Sequence, residues 1–373
     1  MECTPAGGSG TSKGLHIGLN VDAVDNGDRP IAKNPDGNLT YAFWISPNMR
    51  LVPANEIIDP ATGKEVPDKW LKASYWNNKD LTTQQVDTLT DYRLVLRVRN
   101  TDVNSSRFNL KMEACVSDLN ASAPGMDYAI LQDPESTTNK KKVSFTLDLL
   151  HGNSEVPSYD PANPDDPSKM AVLVGKEIWR PRESQLKYNN GHVCLVANVW
   201  DEGYSGGERQ LLASEPDGGQ SGAYILPFCD RRHGQRNLNI VVRKVGATET
   251  RNVLVAVPAS DRCPLEGEVA LKAVELQQGE PQLAGLATSL GLNDHHCPPH
   301  KDPMEGVTID DHGDPSHELG ICLQPGEKIR VPLTVAPYDG EKPGDVYAFD
   351  MITKEESNNS VYGATRFYVM VTA

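Results

Sequence analysis

The chain has 373 residues, enough for two or three domains of ordinary size, and its 31 glycines and 27 prolines favour many turns and few long helices. A net charge of −15 repels phosphate backbones and anionic lipid, so nucleic acid is not an expected partner. The basic runs Lys140-Lys141-Lys142 and Arg231-Arg232 read as solvated turns, and no apolar run is long enough for a transmembrane helix.

Residues 1–13 (MECTPAGGSGTSK) are small and polar and read as a flexible arm. They carry no apolar core of a cleavable signal. The expected locations are therefore the cytoplasm, a particle, or the exterior by a signal-independent route. A long series of strand patterns follows: 15–21, 40–46, 92–100, 108–116, 142–149, 171–179, 192–200, 223–228 and 236–242, then 252–258, 268–275, 328–336, 345–353 and 364–371. In YRLVLRVRN (92–100), Leu94, Leu96 and Val98 alternate with Arg93, Val95, Arg97 and Arg99. That places the leucines on a core and the arginines in water. Residues 192–200 are apolar at nearly every position, as in a central strand covered on both faces. Helical patterns are short: 82–90 (TTQQVDTLT) and a turn or two within 282–290. No βαβ alternation is present, which disfavours a doubly wound or barrel enzyme fold.

Three turn-rich stretches are long enough to suggest functional or packing insertions: 59–80 with Trp70 and Trp76, 152–169 with four prolines, and 293–318. All five tryptophans precede residue 201, a composition shift that places a boundary near 246–251. The expected division is an arm at 1–13, an elaborated β-sandwich at 14–245 and a second at 246–373.

The segment DYRLVLRVRNTDVNSSRFNLKMEACV resembles paired strands of bacterial Ig-like domains of the cell-adhesion-related type. GHVCLVANVWDEG and HGQRNLNIVV look like later strands of such a domain. LQPGEKIRVPLTVAP, GDVYAFDMITKE and ATRFYVMV are similar to a second copy of the style. The resemblance covers about half the chain and implies tandem antiparallel sandwiches used for binding, spacing or assembly in bacterial or phage proteins rather than for catalysis. The three long loops exceed a minimal sandwich.

Several constellations offer chemistry. Between residues 294 and 322 lie His295, His296, His300, His312 and His317 with Cys297, Cys322 and several aspartates, a donor set suited to zinc. The ligands of such a site would be His295, His300, His312 and His317, with Cys297 as a thiolate option; a polar surface insertion is the alternative reading. Asp22, Asp25 and Asp28, and Asp160, Asp165 and Asp166, form oxygen-rich turns that suit calcium or simply make good turns. Ser205 sits in Gly203–Gly207, a G-x-S-x-G sequence after a strand, but parallel βα units are missing around it. No phosphate loop or dinucleotide fingerprint is present. The seven cysteines are widely spaced, without C-x-x-C; Cys115 and Cys194 fit buried positions in strands. A disulfide from Cys263 to Cys297 or Cys322 would need an oxidising compartment.

The expectation is an all-β, non-catalytic structural or interaction protein that packs loops and edge strands against protein partners or copies of itself, with Trp70 and Trp76 as aromatic anchors. The alternatives are a metal-dependent or serine hydrolase, and a carbohydrate-binding module in which those tryptophans stack on sugar rings.

Overall fold

The computed structural model describes residues 17–19, 25, 31–35, 39–58, 61–62, 85–119, 121, 131, 143–152, 155–163, 166–186, 190–201, 231–257, 265–274, 288–290, 317–324, 327–355 and 360–373. Among them the fold is nearly all β, with two short helices, α1 (Ala54–Ile57) and α2 (Glu183–Leu186). The strands are β1 (Ile17–Gly18), β2 (Met49–Pro53), β3 (Tyr92–Asn100), β4 (Arg107–Phe108), β5 (Lys111–Ser117), β6 (Ser144–Gly152), β7 (Glu155–Val156), β8 (Met170–Gly175), β9 (Cys194–Trp200), β10 (His233–Arg236), β11 (Leu238–Lys244), β12 (Glu249–Ala256), β13 (Leu265–Val274), β14 (Thr288–Leu290), β15 (His317–Leu323), β16 (Lys328–Val335), β17 (Val346–Glu355) and β18 (Ser360–Thr372).

An eight-stranded antiparallel sheet runs in the order β1-β3-β8-β6-β5-β9-β10, with β2 also on β3. It curls until its ends meet. The Leu19 N–H donates to the Arg231 carbonyl at 2.9 Å, Ser46 donates to Gln235 at 2.9 Å, and Ile45 bridges Arg236. This closure around one core differs from two separate facing sheets. The core is the alternating face of each strand, including Leu94, Leu96, Val98, Met112, Ala114, Leu195 and Ala197. Each fully buried aliphatic side chain contributes about 1.5–3 kcal/mol. Val95 points outward, yet it is buried beneath α1 with Val52, Ile57, Val172 and Val174. β9 is covered on both faces, since Leu195 and Val199 enter this core while Cys194 enters the second one.

The arginine face of β3 is not a water face. Arg93 pairs with Asp148 at 2.8 Å, and the Arg97 Nε donates to Asn48 Oδ1 at 3.1 Å. Arg99 is buried, donating to the Asp25 carbonyl at 2.9 Å and lying over the Tyr159 ring. The alternation predicted direction correctly; it carried no information about which loops fold over the outside.

A second unit has two facing sheets, β11-β18-β17-β13-β15 and β12-β16-β14. Their shared core holds Val253, Val255, Val331 and Leu333 against Tyr347, Phe349, Phe367 and Val369, with the Phe349 and Phe367 rings stacked at 5.0 Å. β11 runs parallel to β18, an exception to the antiparallel expectation. Residues 236–242 read as one strand, but the chain changes sheets at Asn237. Its N–H donates to the Trp44 carbonyl at 2.7 Å, its carbonyl accepts from Arg366 at 2.9 Å, and its Nδ2 donates to Ala364 at 3.1 Å. β11 therefore already belongs to the second sheet, ahead of the 246–251 turn.

The units are joined at three further places. Residues 40–46, expected as a strand, form a strap: Phe43 and Trp44 pack with Ile31 on Ile352 and Ala364 of the second sheet. Leu119 and Ala121 extend the smaller sheet by pairing with β12 through Ala121 N to Leu254 O (2.9 Å) and Leu254 N to Leu119 O (3.0 Å). His192 Nδ1 accepts from the Ile240 N–H at 3.4 Å.

The expected helix at 82–90 is absent over its described part, 85–90, where Gln85 bridges His192 and Asp87 makes a turn. Thr288–Leu290, expected as helical turn, is a strand on β16. Tertiary pairing overrides weak local propensity in both places.

Candidate functional site

Four large apolar side chains are exposed at one end of the curled sheet, where β3 begins: Leu89 (87 %), Leu150 (86 %), Leu149 (74 %) and Ile178 (56 %). Leu89 and Leu150 each donate a backbone N–H to a nearby carboxylate, and Ile178 follows a carboxylate that bonds the neighbouring strand. Asp87 accepts from Leu89 N (2.7 Å), Thr90 N (2.8 Å) and the Thr90 hydroxyl (3.1 Å). The Leu89 N–H bond, foremost, holds the Asp87 carboxyl below the usual carboxylate range. Asp148 accepts from Leu150 N (2.9 Å) while paired with Arg93. Glu177, next to Ile178, accepts from Thr146 N (2.6 Å) and the Thr146 hydroxyl (2.7 Å).

These loops are bonded to one another. Tyr92 and Trp179 exchange backbone hydrogen bonds at 2.8 and 2.9 Å, tying the Leu89 turn to the Ile178 strand end. Leu147 pairs with Gly175, and an irregularity in β6 between Leu147 and Gly152 pushes out Leu149 and Leu150. Arg180 makes two 2.8 Å bonds to Asp91, whose carbonyl accepts from Ala54 N at 2.7 Å. That pair is exposed and adds little stability, but it gives the apolar tips a polar rim. The chemistry that these fixed loops offer is apolar contact.

Two polar networks elsewhere are structural. Asp350 accepts from Trp44 Nε1 (3.2 Å) and from both Nε and NH2 of Arg366, the latter at 2.8 Å. Burial works against the Arg366 charge, but Asp350 outweighs it and the pKa is raised. At the far end of β11, Arg243 pairs with Glu341, whose Oε1 also accepts from Gly246 N. Arg243 foremost holds the Glu341 carboxyl below its usual range. Burial, then the Arg251 charge, lowers the His192 pKa to about 3, so the ring is neutral and its Nδ1 is free to accept from Ile240.

Of the residues expected to carry function, His295, Cys297, His300, His312, Ser205, Trp70 and Trp76 lie outside the described residues. His317 opens β15 and pairs with Leu271. Among the described residues no three His, Cys, Asp or Glu side chains form a group able to hold a metal. The Asp25 carboxylate accepts from the Tyr41 hydroxyl at 2.9 Å, and Asp160 and Asp166 accept from backbone in turns. Cys115, Cys194 and Cys322 are buried. Trp44 and Trp179 are core residues, not anchors. The apolar end was missed because the leucines in TLT and DLLHG and the isoleucine in EIW give no periodic signal; only the bulge and the turns turn them outward.

No protein-family profile and no curated protein matches the chain. Among solved structures, the CupB6 tip adhesin of Pseudomonas aeruginosa is 12 % identical over 89 % of this chain and 97 % of its own, with a TM-score of 0.21. The CfaE adhesin of enterotoxigenic E. coli is 9 % identical over 97 % of this chain and 94 % of its own, with a TM-score of 0.21. A family 123 glycoside hydrolase from Clostridium perfringens is 10 % identical over 36 % of this chain, with a TM-score of 0.23; the match spans 23 % of the hydrolase. Similarity at this level assigns no function. No described helix is long and apolar enough to cross a membrane.

Proposed function

We propose that the protein is a non-catalytic interaction module that docks a partner protein on the apolar loop end formed by Leu89, Leu149, Leu150 and Ile178. The observation that supports this reading is the exposure of four large aliphatic side chains on mutually hydrogen-bonded loops. Apolar residues scattered singly need no explanation, but a gathered and rimmed set does. The carboxylate-capped turns hold the loops in one conformation, which lowers the ordering entropy lost on binding.

The test places a photo-crosslinking amino acid at Leu150 and, as a control, at exposed Lys244, in the full chain in its native cells. A defined protein adduct from position 150 alone supports the reading; an adduct of twice the chain mass would identify the partner as a second copy. Equal adducts from both positions, or none from 150, would refute it.

A further inference from the structure

A line of buried polar side chains crosses the core of the second unit. Asn239 on β11 stands opposite Phe367 on β18, two residues from Thr365. Thr365 in turn stands opposite Met351 on β17, two residues from Thr353. The three are thus diagonal neighbours on consecutive strands, about 7–8 Å apart. They share the face that carries Val241, Phe349, Met351 and Phe367 into the core. All three are fully buried. The Asn239 Oδ1 and Nδ2 and the hydroxyls of Thr353 and Thr365 have no hydrogen-bond partner among the described residues. The facing sheet adds another such atom, the Nε of buried Arg251 on β12.

Four polar atoms without partners in one diagonal row is not what a core of Phe, Tyr and Val tolerates by chance. Buried polar groups in folded proteins find a protein or water partner almost without exception. The diagonal spacing is too long for these short side chains to bond directly, yet it suits a bridge through one small molecule. The row offers donors and acceptors that are all neutral, so the occupant is neutral and both donates and accepts. We propose that Asn239, Thr365 and Thr353 form a binding site for internal water, with one molecule bridging each successive pair. The water links β11 to β18 and β17 across the sheet interior, adding side-chain bridges to the parallel backbone pairing.

The site is tested on the full chain with Thr353→Val and Thr365→Val, which replace a hydroxyl by a methyl of similar volume. If water bridges the row, each valine strands a water or its remaining partner, and the urea midpoint falls. If the hydroxyls are bare, removing one relieves a desolvated polar group and the midpoint rises. Magnetic relaxation dispersion of water oxygen-17 reads the occupants directly: the native chain should show long-lived internal water, Thr353→Val should lose about one molecule, and Thr365→Val, at the middle of the row, about two. Thr365→Ser, which keeps the hydroxyl, should retain it and covers the case in which a valine variant does not fold. A midpoint that rises or stays unchanged, or a relaxation signal equal in native and variant chains, overturns the site.

Discussion

His192 illustrates how one side chain can couple acidity to the joint between the units. Its ring must be neutral to accept from Ile240, and burial with the Arg251 charge lowers its pKa to about 3. The unfolded chain binds this proton near pH 6.5, so between about 6.5 and 3 the unfolded state holds more protons than the folded one. Stability is therefore full above 6.5 and declines as pH falls towards 3, by about 5 kcal/mol at most from this group. His192→Gln keeps an acceptor for Ile240 without the titration. Urea midpoints measured from pH 7 to pH 4 should fall less steeply in the variant than in the wild type; parallel slopes would show that other groups govern acid sensitivity. Asp350→Asn is expected to be more damaging. It leaves the buried Arg366 charge without its counter-ion, a loss on the order of 3–5 kcal/mol. Because Trp44 donates to the same carboxylate, a shift in tryptophan emission should accompany the lower midpoint.

Elements with strong alternation were the most legible in the sequence. β3 has the predicted bounds, 92–100, because its five apolar residues leave no doubt about period. β12, β13, β16, β17 and β18 differ from expectation only at their ends. β2 (MRLVP) was missed because Arg50 and Pro53 mask the pattern; Arg50 is in fact fully buried. The break at Asn237 was invisible because nothing local marks it: both neighbours suit a strand, and the break depends on bonds to Trp44, Ala364 and Arg366, all remote in sequence. The pairing of Leu119 and Ala121 with β12 was equally hidden, since SDLNA reads as a turn. Its contribution can be measured through Ala121→Pro, which removes the donor to Leu254 O and should lower stability by about 1–3 kcal/mol. An unchanged unfolding midpoint would mean that the segment merely lies alongside β12. The candidate docking end was legible only as residue types, because its geometry arises from a β6 irregularity, two carboxylate-capped turns and a carboxylate bond from Glu177 to a neighbouring strand.

At the scale of the molecule, the strap, the Asn237 passage, the Leu119 and Ala121 pairing and the His192 bond make the two units interdependent. The strap covers Ile352 and Ala364, so a fragment spanning 238–373 would present that apolar face to water. Such a fragment is expected to aggregate or to bind a hydrophobic dye, whereas the full chain unfolds in one transition; a monomeric, cooperatively folding fragment would contradict this. By contrast, Leu149→Asp with Leu150→Asp alters only exposed positions and should leave the unfolding midpoint within about 0.5 kcal/mol of native stability while abolishing partner capture. The parallel pairing of β11 with β18 has a consequence during synthesis. Residue 238 leaves the ribosome well before residue 360, an interval of roughly ten seconds at ~5–20 residues per second. Throughout that interval β11 lacks β18, its sheet partner among the described strands, and the surface under the strap lacks Ala364. The second unit is therefore completed only after translation has passed β18, and until then the nascent chain carries a bare strand edge that a holding chaperone is suited to shield.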